Sequence, residues 1–329
     1  MASAMNALTF AISGFLGIGG LVALAQAPEV PIETQHALLQ DEAILAKAAK
    51  LKEAGALIDT NQVAEQVKNP QPSTIKLPDA ATKPLRGREI SATARKAYLR
   101  LGWYYLCPRC EKWHLQFAGA YPIGEDVIVT CHHCVVPKTE MREGYLIAVD
   151  HEGSVYSVTT VIARSQTLDA AILRVSGAKF APLALQDNVA PGDPAYCFSE
   201  PLGQLGYFTT GIVNRFFWQH SKRGPAGSLD ELKSLRMNVS TDWAPGSSGA
   251  AVLDECGNAI GHVATISPMS ENARSSGNTS APSRDRFGNA VLITLHEAIP
   301  ARSIRALALS AANAKPGGEL EKAKGDATK

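Results

Sequence analysis

The sequence predicts a mainly β protein, on three observations. Between Trp103 and Ala306 the chain consists of short β-rich runs separated by Gly, Pro, Asp and Asn, which is typical of a β-barrel or sandwich. About 200 residues of this pattern suit one unit built from two small barrels. With 45% hydrophobic residues, the chain also has the apolar side chains that such cores need. The predicted strands are Val127–Thr130, Tyr145–Val149, Val155–Ile162, Ala170–Val175, Ala195–Phe198, Gly211–Phe217, Ala250–Leu253 and Ala259–Ile266.

Helical patterns precede this β region. Between Glu33 and Val67 the apolar residues fall at helical spacing, which predicts one or two amphipathic helices. The segment from Asn69 to Pro84 is rich in proline and small polar residues and predicts a linker, and a further helical stretch follows from Ser91 to Arg100. The predicted division is a leader or anchor over 1–27, a helical region with a linker over 28–100, the β domain over 101–306 and a flexible tail over 307–329.

Two polar stretches interrupt the β pattern, Gln219 to Ser234 and Ser267 to Asn289. The second is rich in Ser, Asn, Arg and Gly and predicts a mobile loop. Its position late in the β domain leaves two interpretations, a lid or activation loop and a plain insertion.

The charge balance argues against a nucleic-acid partner. The chain has 32 basic and 31 acidic side chains, a net charge of +1, so it lacks the basic excess that duplex binding requires. Aromatic residues make up 6% of the chain, which is sparse for a base-stacking surface.

The amino-terminal segment predicts export. No charged side chain occurs from Met1 to Pro28, and the apolar run from Ala7 to Ala25 is followed by small residues in the pattern that a signal peptidase cleaves. The same run of about 19 residues is long enough to span a bilayer if it is not cleaved. The sequence therefore predicts a periplasmic or secreted protein, with membrane anchoring as the alternative and contact with a membrane only through this segment.

Four of the six cysteines form two CxxC pairs, Cys107 with Cys110 and Cys131 with Cys134. An even number of cysteines suits disulfides in an oxidising compartment. The paired motifs also have the spacing of a zinc ribbon, in which four thiolates hold a structural Zn²⁺. Disulfides, a structural zinc and free thiols are therefore all open alternatives.

Three polar residues in the β region have the chemistry of nucleophilic catalysis: His133, Asp169 and Ser248. A serine hydroxyl is unreactive at neutral pH unless an imidazole takes its proton, and a carboxylate must orient that imidazole and stabilise its charged form. Ser248 lies in the turn Pro-Gly-Ser-Ser-Gly, where the backbone N–H groups of Gly246 and Ser248 can point at one oxygen and form an oxyanion hole.

The order and setting of these residues resemble the trypsin-like serine proteases, and in particular the Deg/HtrA branch. The segment GAYPIGEDVIVTCHHCV is similar to the strand and Thr-x-x-His motif of that family, SQTLDAAILRV to its Asp segment, and STDWAPGSSGAAVLDECGNAIGHV to its nucleophile segment. Shorter similarities lie between and after these segments. The resemblance covers about Gly119 to Arg305 in unbroken family order, His then Asp then Ser.

The resemblance implies a double six-stranded β-barrel with the active site in the cleft between the barrels. It implies that His133 is the general base and acid, Asp169 its orienter and Ser248 the nucleophile, with no cofactor. The sequence departs from the family pattern in two ways that concern the pocket. Ala250-Ala251 replace the usual Gly-Pro after the nucleophile turn, and the segment before the nucleophile is two residues shorter than in typical Deg/HtrA members. Fewer than 30 residues follow Arg302, so no peptide-binding PDZ domain is expected.

Two neighbours of His133 bear on this assignment. His132 is the competing base, but the spacing from Thr130 favours His133, and an extended backbone would point the two imidazoles to opposite sides. Cys134 resembles the cysteine that follows the catalytic histidine in many trypsin-like enzymes, which implies a disulfide to Cys107 or Cys110.

The specificity pocket is predicted from fewer cues. Asp242 precedes Ser248 at the spacing from which trypsin presents a carboxylate at the floor of its specificity pocket. This resemblance implies cleavage after Lys or Arg. The favoured alternative is that Thr241-Asp242 matches a Thr-Asp pair of Deg/HtrA members, in which case Asp242 does not form the pocket floor. Residues Gly261, Val263 and Ala264 are expected to form a pocket wall for small or medium apolar side chains.

The sequence thus predicts a serine endopeptidase that acts on protein or peptide substrates. The alternatives are a non-catalytic binding or scaffold module on a protease fold, and a zinc-binding module that uses the CxxC pairs.

Overall fold

The structure is a computed structural model that describes residues 39–137, 139–220, 233–270 and 291–313. The predicted leader over 1–27 and the loop residues 221–232 and 271–290 lie outside the described residues. Among the helices of the described residues, none has the length and apolar character needed to cross a bilayer.

Within the described residues, three helices precede the barrels and pack on them through one apolar face. Ile44 and Ala48 of the first helix are fully buried and pack in a cluster with Tyr104. Val63 of the second helix joins the core of the first barrel, and Ile90 of the third joins the core that spans both barrels. The helical prediction is correct in this region; the helices are α1 (Asp41–Glu53), α2 (Thr60–Lys68) and α3 (Gly87–Ala97).

The predicted linker from Asn69 to Pro84 is an extended strap rather than a free spacer. The Gln71 N–H donates to the Val161 carbonyl of the first barrel at 2.8 Å. Farther along, the Ala81 N–H donates at 2.8 Å to Oδ1 of Asn258, in a turn of the second barrel. The strap is therefore hydrogen bonded to both barrels, which sequence composition alone did not indicate.

The first barrel is closed by six antiparallel strands in the order β1-β2-β3-β6-β5-β4. On its first strand every second side chain is buried, as for Leu99, Leu101 and Trp103, because successive residues of a strand point to opposite faces. The elements are β1 (Leu99–Leu106), β2 (Trp113–Pro122), β3 (Val127–Thr130), the short helix α4 (His132–Val135), β4 (Glu143–Val149), β5 (Val155–Ser165) and β6 (Ala170–Val175).

The second barrel repeats this architecture in the order β10-β11-β12-β9-β8-β7. Val213, Met237 and Ile299 are among its buried core residues. Its strands are β7 (Pro194–Ser199), β8 (Tyr207–His220), β9 (Lys233–Val239), β10 (Ala251–Leu253), β11 (Ala259–Ser270) and β12 (Val291–Pro300). The predicted fold class, a mainly β double six-stranded barrel with a helical amino-terminal extension, is confirmed.

Some element boundaries differ from the predicted ones. The helix predicted over Ser91–Arg100 ends at Ala97, because Leu99 and Arg100 pair with β2 and β4 as the first residues of a strand. Strands β1, β2, β9 and β12 were not among the predicted strands.

The carboxyl-terminal helix α5 (Ala301–Asn313) corrects the predicted flexible tail over part of its length. Leu307, Ala308 and Ala311 are buried in the core that spans both barrels. Their spacing places them on one face of the helix, so the part of this tail that the structure describes is packed.

The strap makes a testable contribution to stability through Asn258. This side chain is buried, accepts from the Ala81 N–H and donates to the Ala81 carbonyl at 2.9 Å. We expect Asn258→Ala to lower the free energy of unfolding by about 2 kcal/mol, since it removes both side-chain hydrogen bonds to Ala81, each of which contributes about 1 kcal/mol. Urea denaturation measures the effect, and Asn188→Ala, at an exposed position, is the matched control. Equal stability of the two variants would show that the strap is not held at this point.

Candidate active site

The pairing of β3 with β6 brings His133 and Asp169 together. Thr130, at the end of β3, lies opposite Ala171 near the start of β6, so residues just after β3 meet residues just before β6. His133, in α4, makes a two-point contact with the Asp169 carboxylate. Its backbone N–H donates to Oδ1 at 3.0 Å and its ring Nδ1 donates to Oδ2 at 2.8 Å. The ring is thereby oriented with Nε2 as its free nitrogen.

The contact changes the acidity of both groups. Burial alone would raise the pKa of Asp169, but the hydrogen bonds and charge of His133 outweigh it and lower that pKa to about 2. The hydrogen bond to Asp169, and after it the interaction with Cys134, raises the pKa of His133 to about 9. The pKa of the adjacent His132 is lowered instead, chiefly by burial. His132 and His133 lie in the short helix α4, whereas extended backbone was expected from the sequence at these two residues.

Ser248 is presented by a tight turn of the second barrel. Gly246 and Gly249 adopt φ values of +105° and +86°, a region that L side chains rarely occupy. A Cβ atom on Gly246 would lie 2.7 Å from the Glu200 carbonyl oxygen, so only glycine fits there. Within the described residues, the backbone N–H groups of Gly246 and Ser248 have no hydrogen-bond acceptor. Two amides of this turn are therefore available to a ligand.

His133 and Ser248 line the same cavity of about 250 Å³ between the barrels. Cys134 also lines it from the first barrel, and Pro245 and Gly246 line it from the second. No hydrogen bond of the described residues joins the Ser248 hydroxyl to the His133 ring. Hydrogen bonds of this kind are often long or unformed in the absence of substrate.

Part of the chain is similar to known peptidases. Residues 119–261 match the family model of the trypsin-like peptidase domain. Serine protease PepD of Mycobacterium tuberculosis is 32% identical over 124 residues, which are 35% of this chain and 26% of that protein. The chain thus spans about a quarter of the length of this curated relative.

Two solved structures support the fold. The active form of the Rv3671c protease from M. tuberculosis has 18% identity and a TM-score of 0.50, over 76% of this chain and 96% of that chain. An inactive serine-to-alanine mutant of Rv3671c has 14% identity and the same TM-score, over 74% of this chain and 100% of that chain. The narrower resemblance to the Deg/HtrA branch and the expected lack of a PDZ domain stay predictions.

Two buried residues of the second barrel act on Asp169 and were not identified from the sequence. His262, in β11, is fully buried, and its Nε2 donates to the main-chain carbonyl of Asp169 at 3.2 Å. Burial lowers the pKa of His262 to about 4, so its ring is neutral. Arg236, in β9, is also buried, and the charge of Asp169 acts on it. The sequence signal that could have identified His262 and Arg236 is a polar residue within an apolar strand pattern.

The predicted pocket residues do not line the cavity that holds His133 and Ser248. Asp242 is exposed. Gly261, Val263 and Ala264 are buried in β11. The substrate pocket therefore stays a prediction.

The four clustered cysteines of the chain do not converge on one site, which corrects the zinc-ribbon alternative. Cys107 and Cys110, in the turn between β1 and β2, lie with His114 of β2, whereas Cys131 and Cys134 lie with His133 at the cavity. The six cysteines are free thiols in this structure. The disulfide from Cys134 to Cys107 or Cys110 is therefore not formed here.

The coupling between His133 and Asp169 can be measured directly. We expect Asp169→Asn to lower the pKa of His133 by about 1 to 3, since a carboxylate in contact with an imidazole favours its protonated form. Titration of the histidine ring signals by NMR gives the pKa in each protein. Asp79→Asn, which removes an exposed carboxylate, is the control. An unchanged His133 pKa in Asp169→Asn would contradict the contact.

Proposed function

We propose that the chain is a serine endopeptidase that cleaves peptide bonds through an acyl-enzyme intermediate. Ser248 is the nucleophile, His133 the general base and acid, and Asp169 the residue that orients His133. The observation that carries the proposal is the two-point contact of His133 with Asp169, made beside the cavity that Ser248 also lines.

The first step needs a neutral imidazole with the correct nitrogen free. Because Nδ1 donates to Asp169, Nε2 carries the lone pair that accepts the proton of the Ser248 hydroxyl. Oγ then forms a bond to the substrate carbonyl carbon, and the carbonyl π electrons move to oxygen. Asp169 stabilises the imidazolium that results.

The turn at Ser248 supplies the second catalytic element. The backbone N–H groups of Gly246 and Ser248 donate to the negative oxygen of the tetrahedral intermediate. Each preorganised donor of this kind contributes about 2.7–4 kcal/mol to transition-state stabilisation. Collapse of the intermediate expels the amine, which takes the proton from His133 Nε2, and water then hydrolyses the acyl-enzyme by the same steps.

The substrate is a protein or peptide chain bound between the barrels. On the first-barrel side, residues of β1 and β2 form the wall of the cavity, among them Leu101, Trp103 and Phe117. Apolar walls with a few polar groups are typical of ligand sites. Trypsin-like serine peptidases generally need no cofactor, and the steps above use none.

Ser248 can be tested with an active-site label. We expect a fluorophosphonate to label the native chain, and Ser248→Ala and His133→Ala to lose both the label and at least about 10⁴-fold in peptide hydrolysis. Ser176→Ala, at an exposed position, should keep both. A folded native chain that neither takes the label nor cleaves a peptide library would support the rival scaffold function.

The pH dependence follows from the raised pKa of His133. Only the neutral ring accepts the serine proton, so kcat/KM should rise with pH and have its midpoint above 6.5, the ordinary value for histidine. The interaction with Cys134 is the second contribution to the raised pKa of His133. In Cys134→Ala the midpoint of the kcat/KM profile should therefore move to lower pH. Cys256→Ala, outside the cavity, should leave the profile unchanged. A native midpoint at or below 6.5 would contradict this prediction.

A further inference from the structure

The turn between β1 and β2 gathers two thiols and an imidazole. Cys107 Sγ, Cys110 Sγ and a ring nitrogen of His114 all lie within 4.8 Å of one another. The Sγ of Cys110 is 2.9 Å from His114 Nε2. Thiolate sulfur and imidazole nitrogen are the ligands that zinc and similar borderline-soft divalent cations prefer.

The backbone of this turn is folded around the Cys107 sulfur. The N–H groups of Cys110 and Arg109 donate to it, so the turn holds this sulfur in place. Two backbone hydrogen bonds close the turn, from Glu111 N–H to the Cys107 carbonyl and from Cys107 N–H to the Lys112 carbonyl, each at 3.0 Å. Glu111 adopts a φ of +53° within it. The first ligand is thus preorganised by its own loop.

We propose that Cys107, Cys110 and His114 form a binding site for Zn²⁺ or a divalent cation of the same class. Cys110 is exposed and His114 is half-buried, so a cation reaches the site from solvent. Three protein ligands leave one tetrahedral position for water or for a ligand from another molecule. Since the ligands bind as thiolates, uptake of the cation releases thiol protons and is stronger at higher pH.

The second thiol group is a weaker candidate because its members have other partners. Cys131 is buried and its thiol donates to the Val263 carbonyl at 3.1 Å. His133 is held by Asp169. A cation there would compete with these contacts, whereas at the turn it would replace the contact between Cys110 and His114.

The position of the turn connects the cation to the cavity. The same two strands that carry the ligands pair in register from Leu99 with Ala120 to Leu106 with Trp113, and farther along they form the first-barrel wall of the cavity. A bound cation would hold the turn of this hairpin in one conformation. The site itself does not rest on the proposed peptidase activity, so it is tested without an activity assay.

The test is a Co²⁺ titration of the metal-free, reduced full-length chain, after a thiol count has confirmed six free thiols. Co²⁺ reports thiolate ligation through a near-ultraviolet charge-transfer band and tetrahedral geometry through intense visible bands. We expect both signals to saturate at one equivalent and to disappear when Zn²⁺ is added. Cys107→Ser and Cys110→Ser should lose the charge-transfer band or most of it, and His114→Gln should weaken binding by at least on the order of 10-fold.

Matched thiol variants locate the cation. Cys131→Ser and Cys256→Ser should keep the full signal, and circular dichroism of each variant shows whether the fold is retained. Loss of the signal in Cys131→Ser but not in Cys107→Ser would show that the cation binds at Cys131 and Cys134 instead, which would overturn the proposal. A reduced, folded native chain that shows no thiolate band with Co²⁺ would also overturn it.

Discussion

The candidate active site depends on the backbone of one residue, Gly119. Its N–H donates to the Ser248 carbonyl at 2.7 Å, and its carbonyl accepts from the Thr130 hydroxyl at 2.8 Å. Thr130 ends the strand that leads to His133, so a single residue links the serine turn of one barrel to the histidine segment of the other. Glycine is required, since a Cβ there would lie 2.7 Å from the Ala250 nitrogen.

The polar groups around this junction reinforce the same contact between barrels. His262 and Arg236 belong to the second barrel, yet both act on Asp169 of the first. Burying a carboxylate is costly unless hydrogen bonds and opposite charge compensate for it. The charge of Arg236 supplies part of that compensation from the second barrel, so docking of the two barrels favours the ionised Asp169 that orients the proposed base. This gives a physical reason for placing the site at the junction.

Much of the fold could be predicted because local patterns determine it, and the rest depends on contacts between distant segments. The strands β3 and β6 have the predicted bounds, since both are short apolar runs between turn residues. The strands β1 and β2 were not predicted. They flank the turn that contains Cys107, and the cysteines of that turn indicated a metal site or a disulfide rather than a β-hairpin. His133, Asp169 and Ser248 could be selected by motif and order, whereas the role of His262 follows only from its distance to Asp169. Export stays a prediction, because the leader lies outside the described residues.

The two CxxC motifs show why spacing along the chain does not determine which cysteines meet. A zinc ribbon needs both pairs within one coordination sphere. Here Cys107 and Cys110 lie at the end of a hairpin, and six residue steps along β2 lead from Trp113 to the junction residue Gly119. At about 3.3 Å per residue, that strand carries the turn about 20 Å from the junction. Cys131 and Cys134 flank His133 beside the cavity. Strand pairing, and not motif spacing, therefore makes the two thiol groups independent, one open to solvent and the other beside the proposed base.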